Sequence, residues 1–458
     1  MTRQFEWFEF MNITICDSVV GFLKQFSKQF VGLEFINCKV SSHKRKSKYR
    51  ERFLKCDNLK YLNIENSDVI TLFAIVPNVT TLKIHESSDY ALSLTNYAVS
   101  LTDYAVSQLN KTLFKLEMFS LNISVIYNEA DYKKIYTNGE TIETNPSKSV
   151  LSLAGIKKFI EKHNTIKQLD LSMLRLPPEI LVTISNIIGL KLKNVLFPLD
   201  LPSSFIKRFC ENQFSLTSLQ LTSLLDVTDD TISAVCKCLP NLEKLFIKYN
   251  RVIGESIVEI FQLEHIEVLD LENSAAISEL SYQQAVLKLK AFKLKELNLR
   301  SSRITDHSLC ELLKHNLNLR HLNISHTSVS NETLNMICRN LINLESLKLD
   351  SCRRISDPGI TGEFEDNSNF LTPTPLSNLK NLRKLDISNN RLITNDGCIK
   401  AIKFPNLRSL FLNECDNLFF RNYVENILLE QNPRLNDFIV SSKAGRYFKS
   451  NQMFGYSF

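Results

Sequence analysis

NLRHLNISHT (residues 318–327) and NLESLKLDSC (343–352) carry one pattern, L-x-x-L-x-L-x-x and a small polar residue, begun again after 25 residues. In Leu322-Asn323-Ile324 and Leu347-Lys348-Leu349 apolar residues alternate with polar ones, the spacing of a short strand with one buried face. Working outward, NLEKLFIKYN (241–250), KLKELNLRSS (293–302), NLRKLDISNN (381–390) and NLRSLFLNEC (406–415) repeat it. Weaker copies begin at Phe5, Phe30, Leu59, Val79, Leu113, Ile166, Ile187, Leu216, Ile266 and Leu435. The total is about sixteen turns at a spacing of roughly 24–29 residues.

Each strand is followed by a polar opening and an apolar stretch at helical spacing. Val227-Thr228-Asp229-Asp230, Ile304-Thr305-Asp306-His307 and Ile355-Ser356-Asp357-Pro358 have the Ser, Thr and Asp that satisfy free N–H groups at a helix start, and Pro358 is tolerated in a first turn. The Asn, Cys, Ser or Thr closing each L-x-L-x-x can hydrogen-bond backbone as the chain turns away. No single turn can bury its own apolar face, so only a stack is stable. The expected fold is an α/β leucine-rich-repeat solenoid, a horseshoe with a parallel concave sheet and convex helices. It is expected to span residues 1–458 as a single array, with insertions near 41–56, 86–110, 127–149 and 361–378.

The repeats resemble the cysteine-containing class of the F-box/leucine-rich-repeat family. The likeness rests on I-T-D-x-x-L…L…C/N-P-x-L-x-x-L-x-L-x-x-C, read here as VTDDTISAVCKCLPNLEKLFI (227–247), ITDHSLCELLKHNLNLRHLNI (304–324) and ISDPGI (355–360). It covers roughly residues 5–440 and is strongest after Leu216. The resemblance implies repeats that hold a substrate and an F-box that docks on a cullin-type ubiquitin ligase. The F-box itself is not evident: Phe5, Phe8 and Phe10 are already expected at strand-core positions. Leu176-Pro177-Pro178-Glu179-Ile180-Leu181 resembles the opening of an F-box, but it lies between strands predicted at 169–171 and 190–192. That interval leaves no room for the rest, so the segment reads as a Pro-led helix of a repeat.

Composition narrows the chemistry. Only 11 glycines in 458 residues argue against Gly-rich phosphate loops. A net charge of +6 over this length is too mild to demand nucleic acid or an anionic membrane. The 11 cysteines follow no disulfide spacing and suit a reducing compartment, cytoplasmic or nuclear. No signal peptide or long apolar run is visible. No Walker loop, HExxH, GxSxG or paired CxxC occurs, so no enzyme, cofactor or metal is expected. His307, Cys310, His315, His321 and His326 are close in sequence, but their repeat positions scatter them over helix, loop and strand.

The insertions keep alternatives open. Residues 41–56 are basic (His43, Lys44, Arg45, Lys46, Lys48, Arg50, Arg52), either a solvated face or a phosphate-contacting patch. Residues 90–108 hold a seven-residue duplication, DYALSL-TNYAVSL-TDYAVSQ, an extended outer helix or an aromatic stripe for a partner. Residues 127–149 and 361–376 are polar loops of unusual length.

Strand alternation predicts which residues face away from the core. The middle position of each strand reads Glu117, Asp170, Lys191, Gln220, Phe246, Asp270, Asn298, Asn323, Lys348, Asp386 and Phe411. Lys191, Lys193, Lys244 and Lys248 are expected to form a basic patch, with Phe246 and Phe411 as apolar points and Asp270 among them. Exposed aromatics beside charge are the composition of a binding hot spot. The expected function is a protein-interaction module holding a protein partner or substrate, most specifically the substrate-recognition region of an F-box-type ubiquitin ligase adaptor. A stand-alone repeat scaffold or inhibitor, and nucleic-acid binding through the basic patches, are the alternatives.

Overall fold

The computed structural model describes residues 6–40, 54–67, 69, 73–86, 107, 109–123, 153–172, 178–197, 201–222, 227–249, 254–274, 276–289, 293–363, 373–415, 422–442 and 445–450. The basic run at 41–52, the tyrosine duplication, the loop at 127–149 and most of the 361–376 loop therefore lie outside the described residues. The chain forms two compact units, Met1–Leu216 and Thr217–Phe458.

In the first unit the strands Trp7–Met11, Gly32–Ile36, Tyr61–Glu65, Thr81–Glu86, Met118–Ile123, Gln168–Asp170 and Asn194–Leu196 pair in that order, all parallel. In the second unit the strands from Ser218–Gln220 through Ser409–Phe411 to Asp437–Ser442 pair in parallel, each with its successor. Gly445–Ser450 then turns back antiparallel on the last of them. Leucines align with leucines: Leu245, Leu269, Leu297, Leu322, Leu347, Leu385 and Leu410 share one row and are all buried. This is the leucine-rich-repeat solenoid expected of the sequence.

In several repeats the residue closing L-x-L-x-x does reach backbone, and it reaches the preceding repeat. Cys38 Sγ donates to the Phe10 carbonyl at 3.2 Å and Cys352 Sγ to that of Ile324 at 3.2 Å. Cys415 Sγ donates to the Ile387 carbonyl at 3.5 Å, and Ser274 Oγ to that of Ile247 at 3.2 Å. Asn390 serves best, its Nδ2 spanning the carbonyls of Leu349 and Ile387, both at 2.9 Å, and Ser388 at 3.2 Å. The residue just before this ladder is left-handed in turn after turn, often asparagine (Asn37, Asn66, Asn273, Asn389), which tolerates that conformation.

Helix starts are tied together the same way. Thr228, Thr305, Ser330, Ser356 and Thr394 are the N-caps of Asp229–Cys238, Asp306–Lys314, Asn331–Asn340, Asp357–Thr361 and Asn395–Ala401. The first residue of each of the first four helices caps the next one along, Asp229 Oδ1 accepting the Ser256 N–H at 2.8 Å. Asp306 Oδ1 accepts the Ser330 N–H at 2.7 Å, Asn331 Oδ1 that of Ser356 at 3.0 Å, and Asp357 Oδ1 that of Thr394 at 2.8 Å. Local capping read from sequence is thus half of the arrangement.

The proline-led segment is a helix, Pro178–Ser185. The strand after it differs from expectation. It is Asn194–Leu196, with Leu169 paired to Val195, and not 190–192. Leu190 and Leu192 are buried, but their backbone is satisfied by Gln213: its Nε2 donates to the Leu190 carbonyl at 3.1 Å, and its Oε1 accepts the Leu192 N–H at 3.0 Å. Leu192 is the first leucine of a repeat read L-x-x-V-x-F. Likewise the strand after Leu116 begins at Met118, and Phe119, not Leu116, pairs with Leu82.

Candidate protein-docking face

Each strand of the second unit turns its leucine inward and the residues beside it outward. One outward row runs Gln220, Phe246, Asp270, Asn298, Asn323, Lys348, Asp386, Phe411, each paired in register with the next. Phe246 and Phe411 bracket the stretch from Asp270 to Asp386, both half-buried. Lys384 Nζ lies 5.1 Å from the centre of the Phe411 ring, a cation over the negative face of an aromatic.

Between the two phenylalanines most of the charge is internally paired, with Lys348 outside the network. Lys248 Nζ is 2.8 Å from Asp270 Oδ2 and 3.8 Å from Glu272 Oε2. Asn298 Nδ2 donates to Asp270 Oδ1 at 3.0 Å. Arg300 is 3.7 Å from Glu272 Oε1 and 3.5 Å from Asp350 Oδ2. Asp350 also receives His326 Nε2 at 3.0 Å and Asn389 Nδ2 at 2.8 Å. Partial burial on its own would depress the Lys248 ammonium, but the hydrogen bond and charge of Asp270, with Glu272, hold its pKa above the ordinary lysine range. Such a network is rigid because each bond fixes the partner of the next.

This geometry redraws the basic patch. Lys244 is exposed beside Phe246, as expected. Lys248 is engaged by two carboxylates, and Asp270 is 8% exposed, so neither offers an unpaired charge. Lys191 is three residues ahead of the strand, and Leu196 holds the outward middle position there. Lys193 falls in the row just before the strands: its N–H, like that of Asn194, donates to the Lys167 carbonyl. Glu117 shares that row, and Ser120 takes the middle position. Lys191 and Lys193 belong to the first unit, Lys244 and Lys248 to the second. The signal for the correct strand was in the sequence: Ile166, Leu192 and Leu216 are spaced 26 and 24 residues apart, a steadier period than one passing through Ile187.

One feature escaped the sequence reading. In the second unit the row just before the strands forms a rim groove lined by Glu267, Lys293, Lys295, Arg320, Glu345 and Arg383, with Asn318, Asn343, Asn381 and Asn406. Lys295 pairs with Glu267 at 2.7 Å, and Arg320 and Arg383 share Glu345 at 3.3 and 3.4 Å. Four cations to two carboxylates leave it basic. The recurring asparagine of N-L-x-x-L, followed two residues on by arginine at Arg320, Arg383 and Arg408, was the available clue.

The five residues weighed as a zinc set are separated by their elements: His307 and Cys310 on the helix Asp306–Lys314, His315 at its end, His321 in the strand His321–Asn323 and His326 in the following left-handed turn. Among the described residues, no group of three or more His, Cys, Asp or Glu is placed to hold a metal ion. Among the same residues no helix is long and apolar enough to cross a membrane.

No protein-family model matches the chain, and no curated protein matches it in sequence. Solved structures do. A chain of the yeast Rad7 and Elc1 complex is 18% identical, with 76% of this chain and 81% of that one covered and a TM-score of 0.41. A leucine-rich-repeat protein of Leptospira interrogans is 17% identical over 92% of this chain and 91% of its own, at 0.45. An internalin from Listeria monocytogenes is 15% identical over 91% and 82%, at 0.35.

Proposed function

We propose that this chain is a protein-recognition module whose second unit docks a partner on the outward sheet face between Phe246 and Phe411. The carrying observation is that face itself: two half-exposed aromatics and the exposed Lys244 flank a polar centre in which Lys248, Asp270, Glu272, Arg300 and Asp350 are tied to one another. A partner can bury the aromatics beside charges that are already largely paired, the arrangement that favours specific association. Phe246, Phe411 and Lys244 are the contact residues of this reading, and Lys248 and Asp270 hold the surface between them. The finer reading rests on the resemblance of the repeats to the cysteine-containing F-box class: the partner is a ubiquitination substrate, and the chain works with cullin-type ligase components.

A photo-crosslinking amino acid placed at 246, 411 and, as a control, the exposed helix position Lys314 tests the docking face. One protein captured from 246 and 411 but not from 314, and lost with Lys244→Glu, is the expected result. Equal capture from all three sites overturns the reading. The finer claim stands only if that captured protein loses ubiquitination when the chain is removed.

A further inference from the structure

The first unit holds an aromatic surface of different chemistry. Trp7, Gly32 and Tyr61 are paired in register on three neighbouring strands and face outward. Because Gly32 has no side chain, the Trp7 ring lies flat across it; a Cβ there would stand 2.2 Å from a ring carbon. The ring reaches Tyr61, centre to centre 4.8 Å with the planes 33° apart. Trp7 Nε1 donates to Glu34 Oε1 at 3.1 Å, and Glu34 Oε2 is braced by Asn63 Nδ2 at 3.0 Å. A large apolar ring is thus held in one orientation while the residue remains 53% exposed. Nothing in the folding of the strand requires a tryptophan to be fixed toward water.

The surrounding charge says what would cover it. Glu9 is paired directly opposite Glu34 on the adjacent strand. Like charges in that position repel and destabilise a sheet. Among the described residues of the unit's outward rows, Glu9, Glu34, Glu65 and Asp170 face one cation, Lys83. His85 in the same rows is held below the ordinary histidine range by burial. Lys83 already sits 5.5 Å from the Tyr61 ring, so this surface seats a cation on part of its aromatic area. The open Trp7 face, with two opposed carboxylates beside it, has the form of a second such seat.

We propose that this surface binds an arginine-bearing segment of a partner protein, the guanidinium stacking on Trp7 and bridging Glu9 and Glu34. Arginine fits better than lysine because its planar group stacks on a ring and reaches two carboxylates at once. The site is independent of the docking face of the second unit.

Trp7 is the only tryptophan in the chain, so its emission reports this site alone. The full chain is titrated with the peptide Gly-Arg-Gly-Arg-Gly, with Gly-Glu-Gly-Glu-Gly and with a neutral oligosaccharide. The arginine peptide is expected to shift or quench the emission, with affinity falling about tenfold in the Glu9→Gln, Glu34→Gln double variant and in moderate salt. Gly32→Ala, which displaces the ring and leaves every charge in place, is expected to weaken binding similarly in calorimetry, with unfolding curves of both variants confirming an intact first unit. No emission change with the arginine peptide, an equal change with the acidic one, or an affinity indifferent to both variants overturns the proposal. A response to the oligosaccharide alone overturns it in favour of a sugar-binding surface.

Discussion

Asp357 Oδ1 accepts the backbone N–H of Thr394 at 2.8 Å while its Oδ2 accepts the Thr394 hydroxyl at 2.6 Å. The two residues are 37 apart in sequence, whereas the equivalent bonds from Asp306 to Ser330 and from Asn331 to Ser356 span 24 and 25. The relay of helix caps therefore continues from Asp357 to Thr394 although this repeat is longer in sequence. Asp357→Ala is expected to cost the second unit about 1–3 kcal/mol, since it unpairs a helix-start N–H and a hydroxyl. Asp357→Asn should lose less. Gly397→Ala should also destabilise, because a Cβ there would stand 2.0 Å from Asp357 Oδ1. Urea midpoints of the three variants check this; an unchanged Asp357→Ala midpoint contradicts the relay.

Asn390 is fully buried and supplies the donors for three carbonyls. Asn390→Ala is expected to lose about 1–3 kcal/mol, because three buried carbonyls each lose one of their donors. Cysteine fills the same ladder position at Cys352 and Cys415, so Asn390→Cys should recover part of the loss. Denaturant unfolding of the pair decides it: equal midpoints for Ala and Cys would remove the hydrogen-bond explanation.

The thiols make a prediction about reactivity. Burial pushes Cys56 and Cys236 up to about 12 and Cys310, Cys352 and Cys415 up to about 11. At pH 8 a thiol near 11 is ionised about one part in a thousand, and only the thiolate reacts. Cys16 is the contrast, its pKa lowered chiefly by the Ser18 hydroxyl 2.9 Å away. Rapid labelling by a maleimide is expected at Cys16 and at the half-buried Cys238, and at the other nine only after unfolding. Mass spectrometry of briefly treated native protein checks the count.

His163 is 3% exposed, and its Nε2 donates to Asn110 Oδ1 at 2.9 Å. Burial, and then the charge of Lys162, lower its pKa to about 4. The unfolded value is about 6.5, so below that pH the unfolded chain takes up the proton more readily. The stability from neutral His163 is complete above about pH 6.5 and is lost as pH falls toward 4, on the order of 2–3 kcal/mol. His163→Gln should flatten this part of the pH profile of unfolding in the first unit. Parallel profiles for the two proteins across that window would refute the assignment.

The alternation in Leu322-Asn323-Ile324 sets which side chains are buried, because a strand repeats every two residues. The polar openings at Thr228, Thr305 and Ser356 mark helix starts, and the small polar residue after each strand marks its backbone bond. These depend on neighbours along the chain, so the repeat fold and most of the outward row, Phe246 and Phe411 included, were legible. At 190–197 two overlapping leucine frames compete, and only pairing with Leu169, with Gln213 satisfying the rejected frame, selects Val195. Whether Lys248 is a free charge depends on carboxylates one repeat away, and whether Trp7 is a core residue or a platform depends on the missing side chain of Gly32. The sequence by itself determined the period and the inward face, since both are local properties of the backbone. The tertiary structure alone decided the register of the ambiguous strand, the cancellation of charge and the exposed tryptophan, since each is set by contacts between repeats that sequence spacing does not encode.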